Sequence, residues 1–388
     1  MVHSIARLTA ADEYPIHQIA NTFATVGSSD FNWTEKIWFT LMRKDGTQQV
    51  NFGIGKYPNR NVLDGFAGTC RRIGDRVEQR TVRASRELDP GLLDTVVGPL
   101  CYEVIEPFHK LRITLAENDA QPLQFDLTFH DRMQPFFEER DVEFSRDDAG
   151  RQCSDVVRYH QSGTISGWIL IDGERIEVKP DEWFGFRDRS WGVRDNVGLA
   201  IADLMPKSKV MSSHFNWFVS QIQRPDGSFY EFTNYFRGVK DGQLEHFTAF
   251  INESDGRQIP VLQAYPEMRY RASDHGFISG KIYALIPGPG RKIEERVFTL
   301  EAIDPVLGFR LHTALYGPWK GMAHGSWKGK LHIDGECIDD VAKAFTIKEN
   351  FMWQVGDRPI LIREGDNIGY GDLESGVSDD PPEGVTLV

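Results

Sequence analysis

The chain is punctuated by short runs in which apolar and polar residues alternate, each closed by a tight turn. A period of two suits strands and leaves little room for helices. Lys36–Arg43 alternates around Ile37, Phe39 and Leu41, turns at Asp45-Gly46, and returns as Val50–Ile54. Val219–Gln223 turns at Pro225-Asp226-Gly227 and returns as Phe229–Phe236. Trp168–Ile171, Asp172-Gly173 and Arg175–Val178 form a third hairpin. Asp-Gly suits these turns because both residues reach positive φ at little cost.

Two of these units recur. Gly167–Glu174 and Gly329–Glu336 both read glycine, three residues, then Ile-Asp-Gly-Glu. The hairpin at Trp38 and Asp45-Gly46 is echoed by that at Trp217 and Asp226-Gly227. The order is the same in each half, which points to duplication of a β domain. At 388 residues the chain exceeds one ordinary hydrophobic core. The sequence therefore predicts an all-β protein of two antiparallel β-barrel domains with few short helices, residues 1–203 and 204–388. Ala202–Val210 is the expected connection. A β-sandwich would show much the same pattern. Pro90–Val97 is the best helical candidate, Ile338–Phe345 is ambiguous, and the tail beyond Glu374 is expected to be loosely ordered.

Composition narrows the partners. Lys and Arg total 44 against 57 Asp and Glu, a net charge of −13. That field repels phosphate backbones and argues against nucleic acid. Cys70, Cys101, Cys153 and Cys337 make neither a CxxC pair nor a zinc-like cluster, so they read as reduced, mostly buried thiols. Met1–Tyr14 has no basic segment followed by an apolar run, and no stretch approaches the roughly 20 apolar residues of a membrane span. A cytoplasmic protein is expected, and a homodimer is compatible with the sequence.

Chemistry concentrates in Trp183–Asp195, where arginines and aspartates lie among large rings. Charges beside rings are costly to bury unless paired. In an extended run Phe186, Asp188, Ser190 and Gly192 face one way, and Arg187, Arg189 and Trp191 the other. Asp188 is the candidate proton carrier. Arg187 or Arg194 would orient it or grip a substrate oxygen. An ion-paired plug pinning strands and linker is the competing reading. His214, in an aromatic strand, is the candidate complement, with Tyr159 as a further hydrogen-bond donor. Trp191, Trp217, Tyr235, Tyr265, His130 and His324 are candidate substrate-binding residues. There is no GxSxG, HExxH or GxxxxGK[ST] motif, and Gly53-Ile54-Gly55 runs into Lys56-Tyr57-Pro58, which cannot open a dinucleotide-binding helix. Without metal-ligand spacing either, a mechanism free of metal and cofactor is expected.

At Asp188-Arg189-Ser190-Trp191-Gly192 the sequence resembles the hydroxyneurosporene synthase and AttH-like group of lipocalin-like proteins, which carry an Asp-x-x-Trp-Gly element near the end of their first half. The resemblance implies two tandem lipocalin-like barrels. Carotenoid hydratases, tocopherol-cyclase-like proteins and enzymes of pericyclic cyclisation in that group imply an apolar substrate held without a diffusible cofactor. Asp188 would match the acid of the motif and Trp191 its ring. Arg189 and Ser190 stand where the group's hydratases commonly carry histidine. Arginine beside the acid lowers its pKa, which weakens proton donation to an unactivated alkene.

The expected function is a lyase, hydratase or isomerase acting on a lipophilic terpenoid, steroid or aromatic molecule by acid–base chemistry in an apolar cavity. A non-catalytic carrier or sensor for such molecules is the alternative. A purely structural protein with side-chain-filled barrels is the third reading.

Overall fold

A computed structural model of the chain describes residues 10–17, 19–88, 93–147, 150–195, 197–201, 203–205, 212–239, 244–344 and 355–388. The first part supplies β1 (Trp33–Arg43), β2 (Gln48–Tyr57), β3 (Val62–Ile73), β4 (Arg76–Glu87), β5 (Val96–Val97), β6 (Leu100–Glu106), β7 (Lys110–Leu115), β8 (Leu123–Asp131), β9 (Phe136–Arg146), β10 (Gln152–Ile171), β11 (Glu174–Val178) and β12 (Trp183–Val193). The second supplies β13 (Ser212–Gln223), β14 (Phe229–Val239), β15 (Leu244–Glu253), β16 (Gln258–Pro260), β17 (Gln263–Tyr270), β18 (Phe277–Pro287), β19 (Ile293–Ala302), β20 (Phe309–Arg310), β21 (Leu331–Ile338), β22 (Gly356–Glu364), β23 (Asn367–Val377) and β24 (Val385–Leu387).

These strands form two curled, barrel-like sheets. The first runs β21-β4-β3-β2-β1-β12-β10-β8-β7-β6-β5, and the second β16-β15-β14-β13-β23-β22-β19-β18-β17-β24. Each sheet is built the same way. Its first strand, β1 or β13, has a meander on one side and a late strand of the same half, β12 or β23, on the other. Short 3-10 turns are the only helical elements among the described residues, and no helix there is long and apolar enough to cross a membrane.

Alternation sorts most of the buried side chains into three large cores. Phe39, Leu41, Phe52 and Phe129 fill the first barrel. Phe218, Phe232, Phe298 and Ile360 fill the second. The outward faces carry a third apolar set, Trp38, Phe66, Phe184, Trp217 and Phe309, which joins the two sheets. Trp38 and Trp217 meet edge-on at 5.6 Å across this junction, and such a pair adds ~0.5–1.5 kcal/mol beyond its burial.

The three hairpins form where predicted. Only Asp172-Gly173 has both residues at positive φ. Asp45 and Asp226 instead accept backbone N–H bonds two residues on, from Thr47 and Ser228, an Asx turn that leaves the positive φ to glycine alone.

Other expectations are corrected. The second Ile-Asp-Gly-Glu run is not a turn: Asp334-Gly335 lies within β21, which crosses from the second half to pair with β4. A side chain at Gly335 would meet the Ala120 and Thr81 carbonyls at 2.9 and 3.0 Å, and Arg83 grips Asp334 with two bonds. The tail is ordered too. Beyond Glu374, β23 runs on to Val377 with Ser375 and Val377 buried, and β24 pairs with β17, so its backbone groups are satisfied by a ladder. Of the expected helix at Pro90–Val97, residues 90–92 lie outside the described residues and Val96–Val97 is a strand. In Ile338–Phe345, Ile338 ends β21 and Phe345 lies outside the described residues, as does most of the expected connection 202–210. All four cysteines are free thiols, but only Cys70 and Cys153 are buried.

Candidate functional site

The outward faces of the sheets enclose a cleft of about 230 Å³. Alternation brings its walls together. In β1, Ile37 and Phe39 point into the barrel core, so Lys36 and Trp38 point into the cleft. In β12, Asp188 and Ser190 share that face. Phe215 and Trp217 of β13, Tyr235 of β14 and Glu374 of β23 enter from the second half, with Tyr316 and His324 from the segment before β21.

Asp188 lies between Trp38 of β1 and His160 of β10 in the sheet register. Its Oδ2 is 3.1 Å from Arg158 Nε, and Arg158 also reaches Glu138 at 3.4 Å. Arg194 Nη2 donates to Ser190 Oγ. His160, fully enclosed, is pushed down to about 3 by burial and then by the Arg158 charge.

On the neighbouring strand β1, Lys36 pairs in register with Ser190; its Nζ donates to His324 Nδ1 at 3.2 Å and stands 3.8 Å above the Tyr316 ring. Burial, then the Arg194 charge, lowers Lys36 to about 7. Burial, then Lys36 itself, holds His324 well below the ordinary histidine range, so its neutral ring accepts from the amine. Burial, then the Asp188 charge, raises the Tyr316 hydroxyl. Behind Glu374, Asp357 and Asp372 are fully buried. Burial and then a neighbouring carboxylate hold both well above the carboxylate range. The cleft thus brings rings, a carboxylate, an amine near its neutral point and a phenol together.

Of the residues expected at one site, Asp188, Arg194, Trp217, Tyr235 and His324 meet in this cleft. Arg187 and Tyr159 do not: they line a separate cavity at the mouth of the first barrel. Trp191 shares that side of β12 and packs its ring on Tyr159 at 6.3 Å. His214 is in phase with Phe218 and Ile222, so it points into the second barrel. There it bonds Tyr270 at 2.8 Å and is lowered to about 3 by burial. His130 follows the inward Phe129 and points outward to Ser166 at 3.2 Å. Tyr265 on β17 is exposed. Charged groups line the cleft beside the rings.

Sequence reasoning missed Lys36, Arg158, His160 and Tyr316. A signal existed for the first: Lys36 is in phase with Trp38 and out of phase with the apolar face of β1. Among the described residues, Glu78, Cys337 and Asp339 are grouped closely enough to hold a metal ion, but Glu78 is already ion-paired with Arg71 and Arg80.

Residues 8–385 match the model of a family described as Family of unknown function (DUF8625). The chain belongs to this family. No curated protein matches the sequence of this DUF8625 member. Among solved structures it is similar to kievitone hydratase from Nectria haematococca, at 14% identity over 96% of both chains and a TM-score of 0.50. It is also similar to CghA with Sch210972, at 11% identity over 90% of this chain and 89% of that one, TM-score 0.47. An AttH-like protein from Nitrosomonas europaea matches at 12% identity over 88% and 92%, TM-score 0.45. What the DUF8625 chain shares with kievitone hydratase at this identity is the fold.

Proposed function

We propose that the protein is a hydratase, lyase or isomerase that moves protons on a lipophilic aromatic or terpenoid-type molecule held in the cleft between its barrels. One observation carries the reading. Asp188 and Lys36 enter a single ring-walled cleft, one already paired as an anion and the other poised near neutrality. Trp38, Trp217 and Tyr235 would hold a flat substrate by its faces. Arg194, whose Nε–H has no partner among the described residues, would grip an oxygen of it.

In hydration, Asp188 takes a proton from water as its oxygen attacks an activated alkene carbon. The Lys36 ammonium gives a proton to the neighbouring carbon or its conjugated carbonyl, and one water is added overall. Elimination runs the same steps backwards, and isomerisation uses the pair without water. An acid and base so placed are worth roughly 10²–10⁴-fold in rate. Asp188 is ion-paired with Arg158 at 3.1 Å, so the carboxylate takes the part of the base and the amine that of the acid. The reading needs no cofactor.

The test is turnover in heavy water of a panel of oxygenated aromatics and terpenoids. Deuterium at a carbon position of a recovered compound, lost in Asp188→Asn, is the expected result. Compounds that bind but neither react nor exchange would favour a carrier instead.

A further inference from the structure

We infer that the mouth of the first barrel is a second binding site, separate from the cleft, for a lipophilic molecule ending in a carboxylate. The inference does not rest on the cleft's chemistry. The two sites lie back to back across β12: Asp188 and Ser190 face one, Arg187 and Arg189 the other.

The mouth holds a cavity of about 930 Å³, within the size range of small-molecule sites. Its walls are largely apolar. Ile37, Ile54 and Leu111 rise from the barrel core, Val104 and Phe108 come from the β6–β7 hairpin, and Ile19 comes from the N-terminal segment laid across the opening. Val104, Phe108 and Ile19 are close to half exposed, so the described residues leave the wall they form partly open.

The polar end is Arg187. It is 2% exposed, yet no carboxylate among the described residues lies within ion-pair distance. Its Nε and Nη2 donate to Gln161 Oε1 at 3.0 and 2.6 Å, and its Nη1 donates to the Tyr159 hydroxyl at 3.1 Å. Gln161 is itself fixed by donating to the Phe108 and Met133 carbonyls. A guanidinium has five N–H donors, so these three bonds leave two unused. Tyr159 accepts from Arg187 and keeps its own hydrogen to give. A buried cation held by neutral acceptors is electrostatically incomplete. A carboxylate would supply the missing charge and accept two parallel bonds from the fork. The acids at the rim do not fill that role: Glu35 is paired with Arg189, and Glu103 with Arg112.

The test is calorimetric titration of the full chain with oleate and with oleyl alcohol. Wild type binds oleate more tightly than the alcohol. Arg187→Gln weakens oleate by roughly tenfold to a hundredfold, the loss expected for a charge-assisted hydrogen bond, and leaves the alcohol nearly unchanged. Tyr159→Phe weakens oleate by a smaller factor and serves if Arg187→Gln does not fold. Asp188→Asn, on the opposite face, leaves oleate affinity as it was. Absence of oleate binding in wild type, or equal oleate affinity in wild type and both mouth variants, overturns the inference. Loss of oleate binding in Asp188→Asn overturns the separation of the two sites.

Discussion

Arg187 and Asp188 are adjacent on β12 and serve opposite sides of one sheet: Asp188 enters the cleft between the barrels, and Arg187 the mouth of the first barrel. A dense charged segment therefore divides its chemistry by strand pleat.

Lys36 sets a pH dependence with a definite sign. Its amine is lowered to about 7 in the fold, against an ordinary value of about 10.4. Between those values the unfolded chain holds the extra proton, so this contribution makes stability rise with pH and is most adverse below about pH 7. Lys36→Met should raise the melting temperature, and by more at about pH 6 than at about pH 9. It should also abolish turnover. Melting curves at the two pH values decide it; an equal gain at both contradicts the buried amine.

Three histidines act in the same direction on the acid side. His160, His214 and His312 are each lowered to about 3, chiefly by burial. As pH falls below the unfolded value near 6.5, unfolding takes up protons that the fold refuses. Between about pH 6.5 and 5 each costs on the order of 2 kcal/mol. Urea titrations should show stability falling across this interval. His214→Gln should flatten the fall while leaving turnover intact.

Asp372 works the other way. Its carboxyl is raised by burial and by Glu374, so the fold holds its proton more tightly than the unfolded chain. That contribution is present at low pH and is lost as pH rises above the ordinary carboxyl value. Asp372→Asn keeps the shape without the charge and should stabilise the protein at neutral pH. Chemical denaturation at neutral and mildly acidic pH should show the gain shrinking in acid.

Gly335 lies where β21 passes the Ala120 and Thr81 carbonyls. Gly335→Val forces backbone apart and should cost about 1–3 kcal/mol, the usual scale of overpacking. Gly173→Ala, in the β10–β11 turn with open space around it, keeps its packing and pays only for positive φ. Urea midpoints of the two variants should separate these effects.

Much of the fold was legible because strand pleat is local. The alternation at Ile37, Phe39 and Leu41 and the Asp-Gly turns needed no distant information. The opposition of Asp188 and Arg187 followed from the same rule. What was illegible depends on partners. His214 looked like a cleft residue because Phe215 and Trp217 follow it, but which phase faces the core is set by strands β14 and β23. Gly329–Glu336 copies a hairpin, yet its Asp-Gly is held straight by Arg83 and the β4 ladder. Lys36 escapes notice because a lysine on a strand usually meets solvent, whereas here Tyr316 and His324 of the second half lie against it.

If the Asp188 carboxylate moves the proton in the cleft, kcat of Asp188→Asn on a substrate found in the heavy-water panel should fall about a hundredfold or more, with a melting temperature close to that of wild type. A folded Asp188→Asn protein with wild-type kcat would contradict it.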